Sequence, residues 1–158
     1  IKHAQECSEK KIPFIFDPGQ GLPMFDKIEL NAFIDQATYI AVNDYEAELL
    51  MKVSGLSISE IQKKVEALII TKGAHGSEIY CDNKITIAPI KAESTIDPTG
   101  CGDAYRAGLL YGISNKFSWE DTGKLASVMG SIKIKTEGGQ NHNPSLSEIE
   151  ELFGKKLI

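Results

Sequence analysis

An α/β domain built on a mainly parallel sheet is what these 158 residues predict, and three observations predict it. Short apolar runs of strand length alternate with longer runs of helical spacing, the pattern of strand–helix–strand units. Turn-forming residues gather at the ends of the apolar runs, as DPGQG (17–21), KGAHG (72–76) and DPTGCGD (97–103). Length and composition, 42% hydrophobic and 25% charged, suit one globular core.

The first apolar run, IPFIF (12–16), reads as a compact strand ended by a Pro-Gly pair that suits a type II turn. TYIAV (38–42) is the second, followed at once by NDYEAELLMKVSG. There Ala47, Leu50 and Met51 have helical spacing and Gly55 supplies a stop. ALIIT (67–71) is the third strand, entered from the short helical SISEIQKKV. Strands joined this way call for right-handed crossovers and a parallel sheet covered on both faces. SEIYC (77–81) and KITIAPI (84–90) flank DN and read as a hairpin at one sheet edge. The remainder is helical: AYRAGLLYGI, then SWEDTGKLASVMGSIKIK, a break at EGGQNHNP, and SLSEIEELF. SWED and SLSE have the spacing of capping boxes.

Charge and cysteine usage narrow the function. A net charge of −5 gives no footing for nucleic acid or a membrane surface. No apolar run approaches the ~20 residues that span a bilayer. Cys7, Cys81 and Cys101 are odd in number and widely spaced, which suggests free thiols in a reducing, cytoplasmic setting. The opening IKHAQECSEKK is helix-like and has neither Met nor a signal-peptide core. The expectation is that residues 1–158 form the C-terminal part of a longer protein.

Three stretches could carry chemistry. In DPTG, Asp97, Pro98 and Gly100 have the residue preferences of a type I turn. Gly102 is left over, since a second glycine opening a helix costs stability unless the backbone must approach something closely. Gly100 and Gly102 would let backbone amides converge on an anion at the helix N-terminus. Asp103 then stands beside that anion, placed to take a proton from an attacking hydroxyl. Its alternative is an ordinary helix-start aspartate complementing the dipole.

Asn43 and Glu46 of NDYE have the spacing of a capping box. They also stand at the C-terminal end of a parallel strand, where α/β sheets bind ligands and where the pair could orient water on nucleotide-bound Mg²⁺. TKGAHG (71–76) is either a glycine turn or a nucleotide contact, with Thr71 donating and Gly73 and Gly76 giving backbone access. His75 reads as an exposed loop residue; His3, His142 and the thiols show no ligand spacing. A P-loop is excluded, and Tyr105 stands where a G-x-G-x-x-G fingerprint needs glycine.

Taken in order, the three stretches resemble the C-terminal half of the PfkB carbohydrate-kinase, or ribokinase-like, family. DPTGCGD matches its D-[TP]-x-G-[AC]-G-D signature, Asn43 and Glu46 match an upstream N-x-x-E, and Thr71, Gly73 and Gly76 match T-x-G-x-x-G. The resemblance runs from about residue 12 onward. It implies the C-terminal portion of a three-layer αβα fold and an ATP- and Mg²⁺-dependent phosphotransferase acting on an alcohol. By similarity, Asp103 is the base and the amides of Gly100, Cys101 and Gly102 form the anion hole. Asn43 and Glu46 shape the Mg²⁺ and phosphate region, and Thr71, Gly73 and Gly76 contact the nucleotide. Asp97, and more weakly Gly138, are carried over as ligands of an activating monovalent cation such as K⁺.

Cys101 departs from the family's usual alanine and puts a thiol at the site that alkylating reagents could reach. DAYRAG is similar to bacterial adenosine kinases, so adenosine is the expected acceptor, with ribose or another furanose the alternative; Arg106 has no assigned role. A decayed, non-catalytic nucleotide-binding module is the rival of another class, opposed by the retention of Asp103, Asn43 and Glu46. The family's acceptor pocket and lid lie in the N-terminal half, so this segment alone is expected to be inactive or poorly soluble. The full-length protein, for which a homodimer is compatible with the resemblance, is expected to be active.

Overall fold

The computed structural model describes residues 2–157. Its elements are α1 (Lys2–Glu9), β1 (Ile15–Phe16), α2 (Lys27–Gln36), β2 (Tyr39–Asn43), α3 (Asp44–Ser54), α4 (Ile58–Gln62) and β3 (Ala67–Thr71). There follow β4 (Ser77–Tyr80), β5 (Lys84–Ile87), α5 (Cys101–Ser114), α6 (Trp119–Lys133) and α7 (Leu146–Phe153). The chain divides into two compact units. One holds the residues up to Gly73 with Ser77–Thr86; the other holds Ala74–Gly76 with the residues from Ile87 onward.

The first unit carries a five-stranded sheet in the order β1-β2-β3-β4-β5. β1, β2 and β3 are parallel, and β4 runs antiparallel to β3. All residues of Tyr39–Val42 and Ala67–Ile70 are buried, the pattern of strands covered on both sides. Leu30 and Ile34 of α2, Leu50 of α3 and Ile61 of α4 share one core with Ile40, Val42, Leu68 and Ile70. These sheet residues alternate along their strands, so they point to one face.

Three local readings need correction. The strand expected over 12–16 pairs only at Ile15 and Phe16: Pro13 has no N–H to give, and the Phe14 amide donates to the Thr38 hydroxyl instead. DPGQG is no type II turn. Pro18 has helical backbone (ψ −26°) where that turn needs an extended one, and Gly19–Met24 winds into a 3-10 turn. The helix α2 was not anticipated, although Asp26 and Glu29 form a full capping box at its start.

In the second unit α5 packs on α6, with Gly108 lying close against the Ala126 backbone. Leu125, Val128 and Ile132 of α6 bury against Phe153 of α7, whose ring stacks on Phe117. Ser118 and Ser145 cap α6 and α7, each accepting from the amide three residues on, but neither expected capping box is completed: Asp121 pairs with Lys155 and Glu148 with Lys135 instead.

At the hairpin, Glu78 accepts from Lys72, Lys84 and the Tyr80 hydroxyl, each at 2.7 Å. The Lys72 ammonium, then Lys84, hold its carboxyl at about 2, below the ordinary 4.5. A depressed carboxylate contributes stability that is complete above its unfolded value and lost as pH falls toward the folded one. Glu78→Gln should therefore lower stability by about 1 kcal/mol at neutral pH, screened because Lys84 is exposed and Lys72 partly so. The difference from the parent should vanish between pH 4.5 and about 2 in acid-unfolding titrations.

Candidate functional site

The first unit brings one set of predicted residues together at a single sheet edge. β2 and β3 end in register, so Asn43 and Thr71 are direct cross-strand partners at the C-terminal ends of parallel strands. Asn43 Oδ1 accepts from the Glu46 amide at 2.7 Å, and Glu46 Oε2 accepts from the Asn43 amide at 2.8 Å. The capping reading of NDYE is thus realised in full, and it fixes the Glu46 carboxylate at the mouth of the edge. The Thr71 hydroxyl donates to the Val42 carbonyl at 3.4 Å. Gly73 is exposed with nothing within 4 Å of where a Cβ would stand, leaving its backbone open to a ligand. His75 is exposed.

Gly76, in the second unit, is buried, and a Cβ there would lie 2.1 Å from the Ile87 carbonyl. Packing against protein backbone accounts for that glycine without a nucleotide.

The second unit assembles the DPTGCGD loop. Asp97 Oδ1 accepts from the Thr99 amide and Oδ2 from the Gly138 amide, both at 2.8 Å. These bonds, led by the one from Thr99, hold the Asp97 carboxyl at about 2, below its ordinary 3.8. The turn is displaced by one residue from the expected type I. The Cys101 amide donates to the Pro98 carbonyl at 3.1 Å, and Gly100 occupies its third position at φ +82°, ψ −1°, the geometry that type II requires of glycine. A Cβ at Gly100 would also lie 2.5 Å from the Gly139 carbonyl. The indispensable glycine is therefore Gly100. Gly102 has ordinary backbone, and a Cβ there would meet only the end of the flexible Arg106 side chain.

α2, α3, α4, α6 and α7 all begin with a side chain accepting from the helix amides. α5 begins with Gly100 and has no side-chain cap. The Cys101 amide is engaged in the turn, so the amides that a cap would otherwise take are those of Gly102 and Asp103. Both residues are exposed, with Asp103 in the first turn. Cys101 is half-buried, and burial pushes its thiol up, which lowers the thiolate fraction available to alkylating reagents.

The metal expectations fare differently. Among the described residues no group of three His, Cys, Asp or Glu could hold a metal ion. A divalent ion at Asn43 and Glu46 therefore fits only through water and nucleotide phosphates. The monovalent cation carried over to Asp97 and Gly138 does not fit. Both Asp97 carboxylate oxygens bind backbone amides, the Gly138 amide being one of them. The Asp97 carbonyl accepts from the Lys133 ammonium at 2.9 Å. Lys133 was not anticipated; nothing in SIKIK separates it from Lys135, which is partly exposed and pairs with Glu148.

Comparison with known proteins decides the family. The pfkB family carbohydrate kinase profile matches residues 1–146. The chain belongs to this family. It is 37% identical over 144 residues to a nucleoside kinase of Methanocaldococcus jannaschii, covering 90% of this chain and 48% of that protein. It is 29% identical over 148 residues to Bacillus subtilis ribokinase, covering 93% and 48%. The structure of a Burkholderia thailandensis nucleoside kinase in complex with inosine superposes with a TM-score of 0.94 at 52% identity, covering 96% of this chain and 50% of that one. The ribokinase-like αβα fold class is therefore shown. The pfkB chain described here spans about half the length of the curated relatives it matches.

Two glycine substitutions separate backbone need from open space. Gly100→Ala should cost about 2 kcal/mol or more, from left-handed backbone and the Gly139 contact. Gly102→Ala should leave stability level or raise it by up to ~1 kcal/mol through helix propensity. Denaturant unfolding of both variants reads the difference.

Proposed function

We propose that the protein carrying this chain is an ATP-dependent nucleoside kinase that phosphorylates a primary hydroxyl of its acceptor, with Asp103 as the base. The observation that carries this is the start of α5, which has no side-chain cap and sets Gly102 and Asp103, both exposed, side by side in a pfkB signature. The Asp103 carboxylate takes the hydroxyl proton while the acceptor oxygen bonds to the γ-phosphorus. The bond from that phosphorus to the β–γ bridging oxygen breaks, and ADP leaves. The Gly102 and Asp103 amides, with the helix dipole, stabilise the charge on the transferring group; the Cys101 amide, expected to share in this, is taken by the Pro98 carbonyl. Mg²⁺, when bound with the nucleotide, would supply neutralisation of phosphate charge. At the sheet edge of the first unit, Glu46, held by its cap to Asn43, would orient water on nucleotide-bound Mg²⁺, and Thr71 and Gly73 would contact the nucleotide.

Nucleosides are favoured as acceptors by the 52% identity to the Burkholderia enzyme, whose structures hold inosine and ADP with inosine. Adenosine, expected from DAYRAG, belongs to the same substrate class. A sugar acceptor is the second reading, supported by the match to ribokinase. The active species under either reading is the longer cytoplasmic protein; the 158-residue segment alone is expected to be inactive.

An acceptor panel of adenosine, inosine, ribose and fructose on the full-length protein tests the class. Nucleosides should exceed sugars in kcat/KM, and the reverse order would reassign the enzyme. Asp103→Asn should lower kcat by about 10²–10⁴-fold with little change in nucleotide binding; a variant keeping most of its rate removes Asp103 as base. Glu46→Gln preserves the cap, because glutamine accepts the same amide bond. It should leave Tm unchanged and raise the Mg²⁺ needed for half-maximal rate by about tenfold.

A further inference from the structure

We propose that Lys133 is a built-in monovalent cation: its ammonium fills the place beside Asp97 where family resemblance implies potassium, making the protein independent of alkali cations. The inference rests on the kinase reading for its catalytic consequence and on geometry alone for the site.

Lys133 is the last residue of α6, and its side chain is fully buried. An ammonium taken from water costs several kcal/mol unless oxygens replace its hydration. Here the Asp97 carbonyl accepts at 2.9 Å and the Thr136 carbonyl at 2.8 Å. The charge is felt at its neighbours: it helps to lower the Asp97 carboxyl and opposes the burial that raises the Cys101 thiol. Backbone carbonyls converging beside a carboxylate are the oxygen environment that proteins use to strip water from potassium. In this chain the carbonyls already serve a tethered cation of the same charge. An alkali ion on the same oxygens would put two positive charges in contact.

The placement also explains why the charge is worth burying. The Ile134 carbonyl accepts the amides of Ile96 and Asp97, at 2.9 and 3.2 Å. The Thr136 hydroxyl donates back to the Lys133 carbonyl at 3.0 Å. Lys133 thus ties the end of α6 to the residue that starts the signature loop, six positions before Asp103. It is a positioning residue, since its hydrogen bond into the loop is to Asp97 and not to a reacting group.

The test compares rate and Tm of the full-length protein in potassium, ammonium and tetramethylammonium chlorides, for the parent, Lys133→Ala and Lys133→Met. The parent should be indifferent to the cation. Lys133→Ala should lose most of its rate in tetramethylammonium, regain it in potassium or ammonium, and gain on the order of 5 °C in Tm as the vacated place fills. Lys133→Met, with that place occupied by an apolar chain, should not be rescued. If Lys133→Ala folds only in a rescuing cation, refolding yield in the three salts reads the same quantity. A parent protein whose rate or Tm climbs with potassium overturns the proposal. So does a Lys133→Ala protein that responds to no cation in Tm, rate or refolding. Should no acceptor be phosphorylated, the kinase reading falls, while Tm and refolding still decide the role of Lys133.

Discussion

The candidate catalytic loop depends on one buried charge. The Lys133 ammonium binds the carbonyl at the entrance of DPTGCGD and a carbonyl just beyond its own helix, so that the loop and the end of α6 share a cation. A positive charge in the last turn also complements the α6 dipole. Asp97 is fixed from both sides as a result: its carbonyl by Lys133, its carboxylate by the Thr99 and Gly138 amides. With Asp97 immobile, the turn from Pro98 to Cys101 has a fixed origin and the amides at the start of α5 a fixed direction. Preorganised donors of this kind stabilise developing charge because they need not reorient when it appears.

The sheet edge of the first unit uses a different device for a similar end. The reciprocal cap between Asn43 and Glu46 satisfies two helix-start amides, and doing so locks the carboxylate in one orientation. The structural and functional readings of NDYE are thus compatible. A cap that immobilises an acid at the C-terminal end of a parallel strand is a rigid support for solvent or metal chemistry. The contrast with α5 is instructive. There the cap is omitted, and the amides stay open.

What the sequence disclosed followed from how local the causes were. β3 runs over the expected residues because a five-residue β-rich run with turns on both sides has few other options. The caps of α3, α6 and α7 were legible for the same reason. Errors arose where one residue's partner is distant in sequence. Phe14 gives the ladder only its carbonyl, which accepts from the Tyr39 amide, because its own amide meets Thr38. The DPTG turn moved by one residue because Gly139 presses on Gly100 and Gly138 holds Asp97. Lys133 was illegible for the strongest form of that reason, since its burial depends on carbonyls whose positions only the folded loop defines.

The altered weight of the two signature glycines sharpens the chemical argument. Gly102 seemed the informative one on sequence, because turn chemistry accounted for Gly100. In the folded chain Gly100 is required by its own backbone and by Gly139, so its presence follows from architecture. Gly102 is required by neither, since its backbone is ordinary and a Cβ there would meet the end of the Arg106 side chain rather than any backbone. A glycine that costs helix stability and that packing does not demand implies a requirement outside the fold. Close approach of a phosphoryl group to an amide one residue from Asp103, as proposed above, is a requirement of that kind.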